Sequence, residues 1–295
     1  MTSSLNAGTR LRALLARPQI LLAPGAFDGI SARFAAAAGA EAVYMTGFGV
    51  AGSLLGVPDI GLVTATEMAD RVRALAEAAA GTPLIADGDN GHGGALNAAR
   101  LTRLYEGAGA ACIQLEDQVL PKRCGHMEGK EIVALGEATA RIKAAAGARH
   151  DGGFCVMART DARAVAGLDE ALRRAEAYLH AGADLLFVEA PQTLEEMRAI
   201  AERFPGTPLV ANMVEDGKTP YLDAKSLQDT GFRLVIFPVS VLLVAAKAVE
   251  DAYRALLGAG RLPAEAERLS FAGYNERMGL GELLAKAQAL LPATS

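Results

Sequence analysis

Ala108-Gly109-Ala110-Ala111-Cys112-Ile113-Gln114-Leu115-Glu116-Asp117 contains the plan of the whole chain: a glycine at the end of one element, a short apolar run, and two acids where the run stops. The stretch before it, Asn97 to Glu106, has a helical pattern, and a glycine between alanines fits a helix C-terminus that needs positive φ. Ala111 to Leu115 is then a short buried strand. Ala38-Gly39-Ala40 and Ala181-Gly182-Ala183 give the same signal before two other runs. Read this way, the chain has eight apolar runs: Ile20 to Ala23, Ala42 to Met45, Pro83 to Ala86, Ala111 to Leu115, Phe154 to Ala158, Leu185 to Val188, Pro208 to Ala211 and Leu234 to Val239. Helical stretches lie between them, at Ala65 to Ala79, Leu168 to His180, Leu194 to Arg203 and Ala224 to Asp229. Strands alternating with helices, and apolar on both faces, predict a parallel (β/α)8 barrel of the TIM type. A doubly wound open sheet would normally show a glycine-rich phosphate fingerprint after its first strand, and Pro24-Gly25-Ala26-Phe27-Asp28-Gly29 lacks the spacing.

Residues 1–295 read as a single barrel domain. After the eighth run come a helical segment from Val241 to Leu257, a Gly260-Arg261-Leu262-Pro263 break and a last helical stretch to about Leu291. A helix appended to a closed barrel needs somewhere to bury its apolar face, so the helices of about 241–295 are expected to pack on a partner subunit.

Composition narrows the function. The chain is 51% hydrophobic, its formal charge is only -5, and its 29 basic residues are scattered, which speaks against nucleic acid and for a small-molecule substrate. Three cysteines in a chain too large to need disulfide staples suggest a reducing cytoplasm. The N-terminus from Met1 to Leu15 is polar and mixed, with no signal-peptide core, and no run approaches the roughly 18 apolar residues of a membrane span.

Barrel enzymes place their chemistry at the C-terminal ends of the strands. Here those ends carry Tyr44-Met45-Thr46-Gly47-Phe48-Gly49, Asp87-Gly88-Asp89, Glu116-Asp117, Arg159-Thr160-Asp161, Glu189 and Asn212. Asp87, Asp89 and Glu116 converge on one mouth, where three carboxylates repel unless protons or a cation intervene. A hard divalent ion answers that, with one direct carboxylate and the others reached through water; Mg²⁺ fits, and Mn²⁺ substitutes. His92 and His126 lack the short paired spacing of a zinc site. Arg159 either clamps a substrate carboxylate or neutralises an internal acid. Glycines at 47, 49 and 52 either let an anion approach the backbone, with the Thr46 hydroxyl as a donor, or form a tight turn. In Lys122-Arg123-Cys124-Gly125-His126 nearby cations favour the thiolate of Cys124, so that it could act as an acid or nucleophile near neutral pH; the alternative is an ordinary solvated basic turn.

These segments, with Pro24-Gly25-Ala26-Phe27-Asp28 and Leu55-Gly56-Val57-Pro58-Asp59, resemble the isocitrate lyase and phosphoenolpyruvate mutase superfamily over nearly the whole length. The resemblance implies a Mg²⁺-dependent enzyme acting on α-oxo or α-hydroxy dicarboxylates. Asp87 would be the direct ligand, with Asp59, Asp89 and Glu116 reaching the ion through water. It also implies a last helix exchanged between subunits of a homotetramer, a dimer of dimers. The Lys122 to His126 loop looks like that of the carbon–carbon lyases rather than the phosphonomutases, with Cys124 as the acid on a gating loop that protonates the carbanion left by cleavage. Two departures speak against a tricarboxylate substrate. Methylisocitrate lyases carry Ser-Gly-Gly where this chain has Thr46-Gly47-Phe48, and an arginine where it has Leu243. The strongest likeness, supported by Val188-Glu189-Ala190-Pro191 and by Asn212 to Pro220, is to the group that includes the 2,3-dimethylmalate lyases and the petal death protein.

The reading is therefore a lyase for 2-alkylmalate or oxaloacetate-type dicarboxylates. Cys124, Lys122, His126 and Arg159 are its catalytic set. Tyr44, Thr46, Gly47, Phe48, Gly125, Glu189 and Asn212 bind substrate. Tyr44, a water on the ion or a carboxylate serves as base. Oxaloacetate decarboxylation is the first alternative, followed by methylisocitrate cleavage and phosphonomutase chemistry.

Overall fold

The structure, a computed structural model, describes residues 6–123, 125 and 128–291. The expected runs form eight strands: β1 (Leu21–Ala26), β2 (Val43–Met45), β3 (Leu84–Asp87), β4 (Cys112–Glu116), β5 (Cys155–Thr160), β6 (Leu185–Val188), β7 (Val210–Asn212) and β8 (Leu234–Phe237). All pairings are parallel, in the order β6-β5-β4-β3-β2-β1-β8-β7. A parallel bridge between Leu186 and Leu209, with the Leu186 N–H donating to the Pro208 carbonyl at 3.1 Å, joins the two ends of the sheet into a barrel.

Around the strands run α1 (Ala7–Leu15), α2 (Gly29–Ala37), α3 (Gly47–Leu55), α4 (Ala65–Ala78), α5 (Ala95–Gly107), α6 (Leu135–Ala148), α7 (Ala162–Ala166), α8 (Leu168–His180), α9 (Leu194–Arg203) and α10 (Ala224–Thr230), followed by α11 (Ser240–Ala259), α12 (Phe271–Arg277) and α13 (Leu280–Ala289). The glycines expected to end helices, Gly39, Gly109 and Gly182, have φ of 91°, 99° and 103°.

Side-chain alternation along the strands positions the site. Leu21, Tyr44, Ile85, Cys112, Met157, Phe187, Val210 and Ile236 face inward and pack together. Their neighbours, among them Val43, Leu84, Ile113, Val156 and Leu186, belong to the core between strands and helices. Inward positions recur every second residue. Continued toward the C-terminal strand ends, the inward series reaches Asp87 on β3, Gln114 and Glu116 on β4, Arg159 on β5, Glu189 just past β6 and Asn212 on β7. A layer of apolar side chains thus supports a layer of polar ones.

Nothing in the sequence pattern announced α1. Its Leu11 and Leu15, one helical turn apart, join the barrel interior, and Arg12 donates to the Gly153 carbonyl at 2.9 Å and to Asp184 at 2.8 Å. A Cβ on Gly8 would lie 2.5 Å from the Gly153 backbone, so only glycine permits this contact.

Two compact units divide the chain, one ending at Val244 and the other beginning at Ala245. In the second, α12, α13 and the C-terminal part of α11 contain no buried residue, and Tyr253, Leu257, Phe271, Leu283, Leu284 and Leu290 are exposed.

Candidate active site

At the C-terminal strand ends a cavity of about 250 Å³ is lined by Tyr44, Thr46, Phe48, Asp59, Asp87, Glu116, Lys122, Gly125, Arg159 and Asn212, together with Arg123, Phe187, Val214, Ile236, Pro238, Val239 and Leu243. Most of the residues singled out in the sequence therefore meet in one place. Asp89, Glu189 and Gly47 lie just behind this lining, against Lys122, Arg159 and Asp87 respectively.

The acidic side of the cavity is strongly desolvated. Burial first, and then Asp89, pushes Asp87 up to about 6. Burial also raises Asp59, and raises Glu116 well above the usual carboxylate range. The Lys122 ammonium stands between Asp59 and Asp89, at 2.5 and 2.6 Å. Burial opposes its charge, but the carboxylates of Asp89, Asp59, Glu116 and Asp87 together outweigh burial and hold its pKa well above the ordinary lysine value. His92 Nε2 is 3.8 Å from Asp89, and burial lowers its pKa.

Arg159 is the hub of a second cluster. Its Nε and Nη2 donate to Asp161 at 2.9 and 3.0 Å, its Nη1 lies 3.3 Å from Glu189, its Nε lies 3.4 Å from Glu116, and its guanidinium covers the Phe187 ring at 5.1 Å. The role of internal neutraliser is therefore realised, and the guanidinium still lines the cavity. Asn212 Nδ2 lies 3.4 Å from both oxygens of Glu189. Lys130 donates to Asp161 at 2.7 Å and to the Gly125 carbonyl at 2.5 Å. Gly125 has no room for a side chain, since a Cβ would meet Arg159 Nη2 at 2.5 Å and Glu189 at 2.6 Å.

The glycine-rich segment after β2 is neither an anion loop nor a tight turn. It is the first half of α3, capped by the Thr46 hydroxyl, which accepts from the Gly49 N–H at 3.3 Å. The Gly47 N–H points at Asp87 Oδ2, 3.3 Å away, and a Cβ there would lie 2.8 Å from the same oxygen. Gly52 makes no comparably close approach. Tyr44 donates its hydroxyl to Gln114 Oε1 at 2.9 Å, and burial and Asp87 raise its pKa well above 10. In this arrangement its hydroxyl is engaged as a donor to Gln114.

Cys124 and His126 lie outside the described residues. Their neighbour Arg123 is pinned through its backbone by Gln118, which accepts from its N–H at 2.9 Å and donates to its carbonyl at 2.8 Å.

The model of the phosphoenolpyruvate phosphomutase family matches residues 11–257. The 2,3-dimethylmalate lyase of Eubacterium barkeri is 46% identical over 280 residues, covering 95% of this chain and 96% of that protein. The chain belongs to the phosphoenolpyruvate mutase/isocitrate lyase superfamily. Its members similar to this chain include the 2-methylisocitrate lyase of Bacillus subtilis, 49% identical over 82% of this chain and 78% of that one, and the petal death protein of Dianthus caryophyllus, 37% identical over 92% and 86%. A crystal structure of 2,3-dimethylmalate lyase matches with a TM-score of 0.93 at 38% identity, covering 98% of this chain and 97% of the other. A phosphonopyruvate hydrolase solved with oxalate and Mg²⁺ matches with a TM-score of 0.86 at 30% identity, covering 98% and 100%. Within the superfamily this chain is a carbon–carbon lyase.

Sequence reasoning missed Gln114 and Lys130, and it placed Asp117 at the strand end without giving it a role. Asp117 accepts from Thr160 at 2.7 Å, the Asp161 N–H at 2.9 Å, Tyr178 at 2.8 Å and Arg174 at 3.1 Å, and so braces the turn that carries Arg159. One signal was available for Gln114. It is a polar residue inside an apolar run, in phase with Glu116.

Proposed function

We propose that this superfamily member is a Mg²⁺-dependent lyase for 2-alkylmalate or oxaloacetate-type dicarboxylates. The observation that carries the reading is the division of one cavity into a charged floor, with Asp87, Glu116, Arg159 and Asn212, and an apolar wall, with Phe48, Val214, Val239 and Leu243. The wall suits an alkyl substituent. A third carboxylate seated against the apolar Phe48 and Leu243 would lose water there, and without a cation in reach that costs several kcal/mol.

Among the described residues no three His, Cys, Asp or Glu side chains stand close enough to hold a metal together. The donor set nevertheless fits a hard ion held by one carboxylate directly. Among the described residues seven buried carboxylates (Asp59, Asp87, Asp89, Glu116, Asp117, Asp161 and Glu189) stand against five buried cations, of which Arg174 pairs with Asp117 and Arg141 with Glu137, leaving Lys122, Lys130 and Arg159 for the six acids around the cavity; Glu116 Oε1 is buried with no hydrogen-bond partner there. Asp87 would ligate directly, and Asp59, Asp89 and Glu116 through water, with Mn²⁺ able to substitute. Once bound, the ion supplies a Lewis acid to the substrate oxygens.

The chain's own residues do the rest. Arg159 and Asn212 hold the carboxylate that becomes enolate-like as the carbon–carbon bond breaks, and Lys122 and His126 add positive charge. Cys124 returns the proton to the carbanion carbon. The Tyr44 hydroxyl is already engaged with Gln114, which favours a floor carboxylate or water over Tyr44 as the group that takes the C2 hydroxyl proton. Working in the cytoplasm, the enzyme would be a homotetramer in which the exposed apolar faces of α11 to α13 pack on a partner subunit.

Incubation of 2-methylmalate with the protein and Mg²⁺ in D2O tests the reading. The expected products are pyruvate and acetate carrying one deuterium, with Cys124→Ser slowing turnover by about 10² or more and Asp87→Ala abolishing it. Oxaloacetate going only to pyruvate and CO2, at a rate unchanged in Cys124→Ser, would make the protein a decarboxylase.

A further inference from the structure

We infer that Gln114 is a positioning residue that fixes the Asp87 carboxylate, and that Tyr44 acts through it. The inference rests on the reading of Asp87 as the metal ligand. Gln114 is fully buried on the inward face of β4. Its Nε2 donates to Asp87 Oδ1 at 3.1 Å, and its Oε1 accepts from the Tyr44 hydroxyl at 2.9 Å. The phenol sets the polarity of the amide. With its oxygen engaged by Tyr44, Gln114 presents N–H to Asp87, whereas the reversed amide would set oxygen against carboxylate oxygen.

The two oxygens of Asp87 are treated unequally. Oδ1 also accepts from the Asp89 N–H at 3.0 Å, while among the described residues Oδ2 receives the longer 3.3 Å contact from Gly47 alone. Oδ1 is thus occupied by two donors, and Oδ2 is the oxygen with lone pairs to spare. A carboxylate already held in one rotamer loses little freedom when it takes up a cation, and this is why groups behind a ligand influence affinity. A leucine could fill the volume of Gln114, but it would strand the Tyr44 hydroxyl and remove one of the two donors on Oδ1.

Isothermal titration of Mg²⁺ into the full-length protein tests this, with wild type, Asp87→Ala, Tyr44→Phe, Gln114→Leu and the Tyr44→Phe/Gln114→Leu double variant compared at one pH and thermal melts recorded alongside. Gln114→Leu should weaken Mg²⁺ binding by about 10- to 100-fold. Tyr44→Phe should weaken it less, and the double variant should bind no more weakly than Gln114→Leu alone, because both changes act on one chain of contacts. If Gln114→Leu fails to fold, a Tyr44→Phe protein with normal melting and weakened Mg²⁺ binding still supports the inference. Wild-type affinity in Gln114→Leu or in a folded Tyr44→Phe, or effects that simply add, would overturn it while leaving the ligand assignment standing. Wild-type affinity in Asp87→Ala would overturn both.

Discussion

Asp87 sits where burial and a neighbouring carboxylate both oppose its charge, and its raised pKa of about 6 has a consequence for stability. An acid whose folded pKa exceeds its unfolded value holds more protons when folded. Its contribution to stability therefore falls as pH climbs from about 4 through about 6 and levels off above that. The shift corresponds to a penalty on the order of 2–3 kcal/mol. Asp87→Asn should accordingly melt several degrees higher than wild type at pH 8 in EDTA, and the gap should close near pH 4. Equal melting temperatures at pH 8 would show that the carboxylate is not strained. The cysteines allow a second check. Burial first of all raises the Cys112 thiol well above its ordinary value and Cys155 to about 12, so neither forms thiolate at pH 8. Iodoacetamide should label only Cys124 in the native protein and all three on unfolding, as read by peptide mass spectrometry; native labelling at Cys112 or Cys155 would contradict their burial. At this scale Asp87, Asp89, Glu116 and Arg159 were legible because they stand where apolar runs stop. Gln114 and Lys130 were not, because their roles depend on Tyr44, Asp87 and Asp161, which face them from other parts of the chain.

The element least visible in the sequence is α1, and it carries a measurable load. Leu11 is fully buried in the barrel interior, so Leu11→Ala should cost about 2–5 kcal/mol in urea unfolding. A loss under about 1 kcal/mol would mean that the helix adds little. The segment read as polar because Arg10 and Arg12 interrupt its leucines, and the surface it covers is assembled from strands distant in sequence. For α3 the misreading has another origin. Three glycines within Gly47 to Gly52 argue against a helix by propensity, but the Thr46 cap and the tight fit of Gly47 on Asp87 override it. Barrel strands, in contrast, were legible throughout. Each is apolar on both faces over most of its length, so its run in the sequence stands out whatever it packs against, even where Gln114 interrupts β4.

For the whole molecule, the exposed apolar residues of α12 and α13 call for a partner surface. Phe271 and Leu284 are 85% and 60% exposed in the single chain. A Phe271→Asp/Leu284→Asp variant should shift the assembly to a smaller species by light scattering coupled to size exclusion, while an unchanged mass would place the subunit interface elsewhere. The central claim concerns chemistry, and one measurement addresses it most directly: ¹H NMR product analysis of parallel incubations with Mg²⁺ and oxaloacetate, 2-methylmalate or 2-methylisocitrate. Carbon–carbon cleavage of the malate or of oxaloacetate, to pyruvate with acetate or to oxalate with acetate, should outpace cleavage of 2-methylisocitrate. Preferential cleavage of 2-methylisocitrate to pyruvate and succinate would contradict the reading of Phe48 and Leu243 as a wall that excludes a third carboxylate.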